Sequence, residues 1–146
     1  MSIRRAVRSD LPVIGALIKG LADYEHLAHE VLWSPAQLEV SLFDEHAAAV
    51  ELATDDRTGT VAGMALWYPT YSTFLGQSGI WLEDLFVLPE ARGQGLGLAL
   101  LHHLRSLTGG RVEWNVLDWN EPSIAFYEAL GASPVNGWTR YRWTLP

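Results

Sequence analysis

The stretch Arg92-Gly-Gln-Gly-Leu-Gly97 sets three glycines at alternate positions, behind an arginine and ahead of an apolar run with helical spacing. Residues of these types at this spacing suit the binding of a phosphate-bearing ligand. Glycine lets backbone N–H groups approach an anion with no Cβ between them. The start of a helix adds free N–H groups and the positive end of its dipole. Arg92 can add a charge-assisted bond to a phosphate oxygen. Two other phosphate loops are excluded. A P-loop needs Lys-Ser/Thr after its last glycine, and here Leu98 follows Gly97; a dinucleotide fingerprint needs its third glycine at position 98. A turn built only for close packing uses the same glycines, and the loop alone does not separate the two readings. The five histidines offer no metal set, since His26 and His29 are three apart, His102 and His103 are adjacent, and no HExxH or Cys/His grouping occurs.

The elements that must position this loop follow from periodicity. Residues 2–8 alternate as an edge strand. Residues 9–27 carry Leu11, Ile14, Leu17, Ile18 and Leu21 at helical spacing behind a Ser9 or Asp10 cap and Pro12. Ser34 and Pro35 open a short helix to residue 43. Strands 47–54 and 60–72 flank the turn 55–59, a hairpin, and strand 79–88 closes at Pro89. The glycine loop feeds helix 96–108, ended by Gly109 and Gly110; then come strand 111–117, helix 120–130 capped by Asn120 and stopped at Gly131, and a last alternating strand at 137–145. This order predicts one mixed sheet covered by helices, of the α/β (α+β) class, in a single domain over residues 1–146.

Composition narrows the function. Half the residues are apolar (49%), enough for a core in a chain of 146 residues. The net charge of −7 argues against a nucleic-acid partner and mildly favours a cationic small molecule, although surface acid also simply confers solubility. No apolar run approaches the roughly 20 residues of a membrane span, and the charged N-terminus lacks the centre of a signal peptide. Cysteine is absent, which excludes thiol catalysis and makes the cytoplasm the expected compartment.

Beyond the loop, "LADYEHL", "YPTYSTFLG", "WLEDLFVLPEARGQGLG" and "VLDWNEPSIAFYEALGA" run in order from Leu21 to Ala132. Together they resemble the diamine acetyltransferases, the spermidine/spermine and thialysine N-acetyltransferases of the GNAT superfamily. The resemblance implies the GNAT acyl-CoA N-acyltransferase fold, a mixed, mostly antiparallel sheet with a splayed central strand. It also implies acetyl-CoA as co-substrate, no metal, a small-molecule amine as acceptor, and a homodimer. It makes Arg92, Gly93, Gln94, Gly95, Leu96 and Gly97 the pyrophosphate loop. The main chain of Leu85, Phe86 and Val87 becomes the track for the pantetheine arm, and Asn120 and Ser123 become further cofactor contacts. Tyr24, Glu25, Asp84, Glu113 and Asn115 fall in substrate-contacting stretches.

The reaction so implied is amine attack on a thioester. A primary ammonium has a pKa near 10.4, so freeing it at pH 7 costs about 4–5 kcal/mol. The resemblance assigns Glu83 as the base, acting through water, and Tyr127 as the acid that protonates the leaving thiolate. Glu83 and Asp84 are adjacent, and on a regular strand they face opposite sides. Serving one cleft together requires a bulge, and the resemblance, with its splayed and bulged strand at this point, implies an irregularity near residues 83–86. Ser72 and Asn136 stand where the polyamine-acetylating members carry acid, which favours the thialysine-like branch. A non-catalytic acyl-CoA sensor on the same fold, or acetylation of a protein amine, is the alternative.

Overall fold

The computed structural model describes all residues, 1–146, and the chain divides into two compact units, Met1–Asn115 and Val116–Pro146. The first holds a five-stranded sheet of β1 (Ser2–Arg5), β2 (Ala49–Asp55), β3 (Thr60–Ser72), β4 (Gln77–Val87) and β5 (Val112–Trp114), in spatial order β1-β2-β3-β4-β5. The first four strands pair antiparallel and β5 joins β4 in parallel. Parallel pairing demands a crossover, and helix α3 (Leu96–Ser106) supplies it.

Strand alternation sends side chains to two faces. Val50, Leu52, Met64, Leu66 and Phe86 meet Ile14 and Leu17 of helix α1 (Leu11–Tyr24) and Leu42, which lies in the π-helical turn Val40–Asp44 that continues helix α2 (Pro35–Glu39). Ile14 and Leu17 are fully enclosed, each worth about 1.5–3 kcal/mol of burial. The other face packs under α3, through Leu96, Leu100, Leu101 and Leu104. It also holds Glu51, which is 2% exposed and is satisfied by Arg5 Nε at 2.6 Å, Trp67 Nε1 at 3.3 Å and His103 Nε2 at 3.2 Å.

Helix starts follow local chemistry. Ser34 caps α2 by a reciprocal box, with Gln37 N–H donating to its Oγ at 3.2 Å and Ser34 N–H donating to Gln37 Oε1 at 2.8 Å. Asp10 precedes α1 but makes no side-chain cap. Its carboxylate instead accepts from Arg4 Nη1 and Nη2, each at 2.8 Å, and from the Val7 N–H at 2.8 Å.

The second unit contains helix α4 (Glu121–Leu130), which ends at Gly131 in the left-handed region, with φ of 102°. Two sequence expectations need correction. The strand expected at 111–117 is confined to Val112–Trp114. Residues 137–145 form no strand, and Trp138, Tyr141, Trp143 and Leu145 are between 78% and 99% exposed. Alternation alone does not make a strand; backbone pairing with a neighbouring strand does.

Candidate active site

The register of β3 against β4 slips at one place. Leu66 pairs with Asp84 and Trp67 with Leu82, so Glu83 is the extra residue of a bulge. Without it, residues 82 and 84 would share a face. With it, Leu82 shares the face of Trp67, while Asp84 joins Leu66 and Phe86 on the α1 side. Trp81 Nε1 donates to Glu83 Oε2 at 2.8 Å, which orients the Glu83 carboxylate. The bulge thus brings Asp84 to the α1 side while the Glu83 carboxylate stays near enough for its charge to act on Asp84.

Helix α1 ends at Tyr24 and its C-cap residue is Glu25. Burial pushes the Glu25 carboxyl above its ordinary value. Asp84 is shifted further: burial first, then the negative charges of Glu83 and Glu25, raise it to about 7. Three carboxylates from two elements therefore crowd one spot, and the most enclosed of them titrates at neutral pH.

Downstream, β4 carries β5 along Ile80–Leu82 only. Over Glu83–Val87 the edge turned away from β3 has no partner strand in the sheet. Arg92 Nε donates to the Val87 carbonyl at 3.0 Å. Its guanidinium also lies over the rings of Tyr24, at 5.3 Å, and Phe86, at 5.7 Å. The loop then turns through Gly93 and Gly95, with φ of 79° and 81°, a region closed to most L-residues. Gly95 is the N-cap of α3, which leaves the N–H groups of the first turn, including those of Leu96 and Gly97, without intrahelical acceptors. Gln94 is not turned outward. Its Nε2 donates to Asp55 Oδ2 at 3.2 Å and to the Ala91 carbonyl at 2.9 Å, so a ligand would meet its main chain. Leu96 is 2% exposed and likewise offers only backbone.

Glu113 stands at the register position of Trp81, and Asn115 directly follows β5. In the second unit, Asn120 is buried and caps α4, its Oδ1 accepting from Ser123 N–H at 3.4 Å. Tyr127 lies in the middle of α4, half-buried, with the Phe126 ring 5.5 Å away. The sequence reading treated residues 55–59 as a turn and nothing more, and so missed Asp55, which is 2% exposed and bonded to the glycine loop. The available signal was an acid ending a strand with an arginine two residues on.

Comparison with known proteins agrees with this geometry. The profile of the Acetyltransferase (GNAT) family matches residues 18–132. The thialysine N-epsilon-acetyltransferase of Mus musculus is 34% identical, over 96% of this chain and 90% of that enzyme. The L-ornithine N5-acetyltransferase of Arabidopsis thaliana is 28% identical, over 97% of this chain and 83% of its own. A crystal structure of a probable acetyltransferase shares the fold at a TM-score of 0.80 and 20% identity, covering 100% of this chain and 99% of that one. A strand with a bulge, a glycine loop at a helix start and a match through most of the length place this chain in the acetyltransferase (GNAT) family, and it is an acetyltransferase.

Proposed function

We propose that this enzyme transfers the acetyl group of acetyl-CoA to a primary amine on a small molecule, by direct attack. The observation that carries the reading is the bulge at Glu83, which brings Asp84 to the α1 side, where the charges of Glu83 and Glu25 act on it. A cluster of carboxylates attracts an ammonium, and a group titrating near 7 can take its proton. Passing a proton from an amine near 10.4 to an ordinary carboxylate costs about 8–9 kcal/mol; passing it to Asp84 costs about half that. Asp84 is thus the better-matched acceptor, and Glu83, assigned that role from the resemblance, is the charge that tunes it. The amine nitrogen forms the new C–N bond, the C–S bond breaks, and Tyr127 supplies the proton to the departing thiolate. The glycine loop, with Arg92, grips the diphosphate of acetyl-CoA, and Leu85–Val87 run beside its arm. Asn120 and Ser123 complete the cofactor contacts.

For the acceptor, an amino acid with a side-chain amine or a short diamine fits best. The two relatives above are named for a side-chain nitrogen of thialysine and of ornithine. Ser72, where the polyamine branch carries acid, uses its Oγ to accept from Leu75 N–H at 3.2 Å and offers no charge to a distant ammonium. Tyr24, Glu25, Glu113 and Asn115 are the remaining acceptor contacts. The enzyme works as a homodimer in the cytoplasm, a reading supported by its exposed aromatic C-terminal arm and its lack of cysteine.

The test is thiol release from acetyl-CoA with thialysine, lysine, spermidine, short diamines and aminoglycosides. Turnover is expected to be fastest with the amino-acid side-chain amines or short diamines. A preference for spermidine overturns the reading of Ser72 and Asn136. Binding of acetyl-CoA without turnover on any amine makes the protein a sensor.

A further inference from the structure

The β2–β3 hairpin does more than reverse the chain. Asp55 ends β2 and is 2% exposed, yet its two oxygens take four donors. Oδ1 accepts from Arg57 N–H at 2.8 Å and Arg57 Nε at 3.2 Å, and Oδ2 accepts from Arg57 Nη2 at 3.0 Å and Gln94 Nε2 at 3.2 Å. Arg57 Nη2 also donates to the Glu90 carbonyl at 2.7 Å, and Gln94 Nε2 to the Ala91 carbonyl at 2.9 Å. A hairpin turn needs only the bond from Arg57 N–H. Two of the other bonds, Arg57 Nη2 to the Glu90 carbonyl and Gln94 Nε2 to Asp55 Oδ2, cross 33 and 39 residues of sequence to join the hairpin to the segment Glu90–Gln94.

That reach has a purpose in the loop's own physics. Gln94 is flanked by Gly93 and Gly95, both at positive φ. Glycine loses more freedom on ordering than any other residue, so this stretch of backbone is costly to hold still. Its one side chain between the glycines is the natural place for a tether, and Asp55 holds it. The carboxylate is dependable, because Arg57, through side chain and main chain, and then Gln94 keep the Asp55 carboxyl at about 2, ionised at every pH of interest.

We propose that Asp55, with Arg57, is a positioning residue for the glycine loop: together they lock Glu90–Gln94 so that the loop's N–H groups stand ready for the diphosphate before it arrives. This rests on the reading that the loop binds acetyl-CoA. Pre-organisation lowers the ordering cost of binding and leaves the chemical step alone, so the effect falls on cofactor affinity.

Two measurements test it. In ligand-free protein, amide hydrogen exchange over residues 93–97 is expected to speed up in Asp55→Asn and in Gln94→Ala, while exchange in β3 and α1 stays as in the parent. With acetyl-CoA as varied substrate, KM is expected to rise roughly 10-fold or more in Asp55→Asn, with kcat and the amine KM within about twofold. The double variant should be no worse than the poorer single one, because both changes cut one tether. Gln94→Ala removes no buried charge and keeps the test open if Asp55 variants fold poorly. Unchanged loop exchange with an unchanged acetyl-CoA KM overturns the proposal. A parent protein that shows no calorimetric binding of coenzyme A overturns the loop reading and this inference with it; faster loop exchange in the variants would then show a tether that serves no cofactor.

Discussion

Asp84 is the residue whose chemistry departs most from its type. Burial, Glu83 and Glu25 raise its carboxyl to about 7, against an ordinary value of 3.8. Two consequences follow from the same shift. As proton acceptor, Asp84 must be ionised, so kcat/KM should rise with pH through about 7 before the amine's own titration complicates the profile. Asp84→Asn should remove that inflection and lower kcat/KM by about 100-fold or more. Glu83→Gln takes away a charge that raises Asp84, so it should move the inflection to lower pH while turnover persists; loss of all turnover there would return the base to Glu83. The second consequence is stability. Between about pH 4 and 7 the unfolded chain has released a proton that folded Asp84 keeps, so folding stability falls across that window as pH rises. Asp84→Asn should therefore raise the melting temperature more at pH 8 than at pH 4, with about 4 kcal/mol as the upper bound on the gain. Tyr127 is tested more simply. Tyr127→Phe should lower turnover about tenfold or more and leave coenzyme A affinity within about twofold; unchanged turnover removes its role as acid.

At the scale of elements, β4, its bulge and the loop into α3 form one device. The strand delivers the carboxylates, its unpaired edge runs beside them, and the helix start receives the chain at Gly95. Gly95→Ala must hold a Cβ at φ of 81°, a cost of about 1–2 kcal/mol. Calorimetry should show both a less stable protein and weaker coenzyme A binding. A normal affinity would mean that the helix start is not where the diphosphate sits. This device was legible in sequence because its signals are local: glycines at fixed spacing, proline closing a strand, an apolar run behind. The bulge was legible through the resemblance, which implies a bulged strand at this point, and it agrees with the chemical demand that two neighbouring acids serve one cleft. What stayed hidden was non-local. Nothing within residues 55–59 announces that Asp55 reaches Gln94. Nor does the alternation of β2 announce that Glu51 lies buried among partners from β1, β3 and α3.

At the scale of the whole molecule, the C-terminal arm is the part that local pattern misjudged, and it carries the last prediction. Trp138, Tyr141, Trp143 and Leu145 alternate as a strand would, yet they are 78%, 91%, 99% and 94% exposed. Periodicity describes what a strand would look like; only a neighbouring edge makes it one. Three exposed aromatic side chains can bury about 150–250 Å² each. Counted on two arms, that is about 900–1,500 Å², comparable with the roughly 1,000 Å² expected of a specific interface before any contribution from the partner surface. In the homodimer proposed above, each arm would be covered by the other copy. In sedimentation or light scattering the protein should run at twice its 16.2 kDa mass, and a chain ending at Ala132 should run as a monomer. Diluting the full-length protein should red-shift its tryptophan emission as Trp138 and Trp143 return to water, and the shift should follow dissociation. A full-length monomer at tens of micromolar, or a dimer that survives loss of the arm, would show that these residues serve something other than self-association.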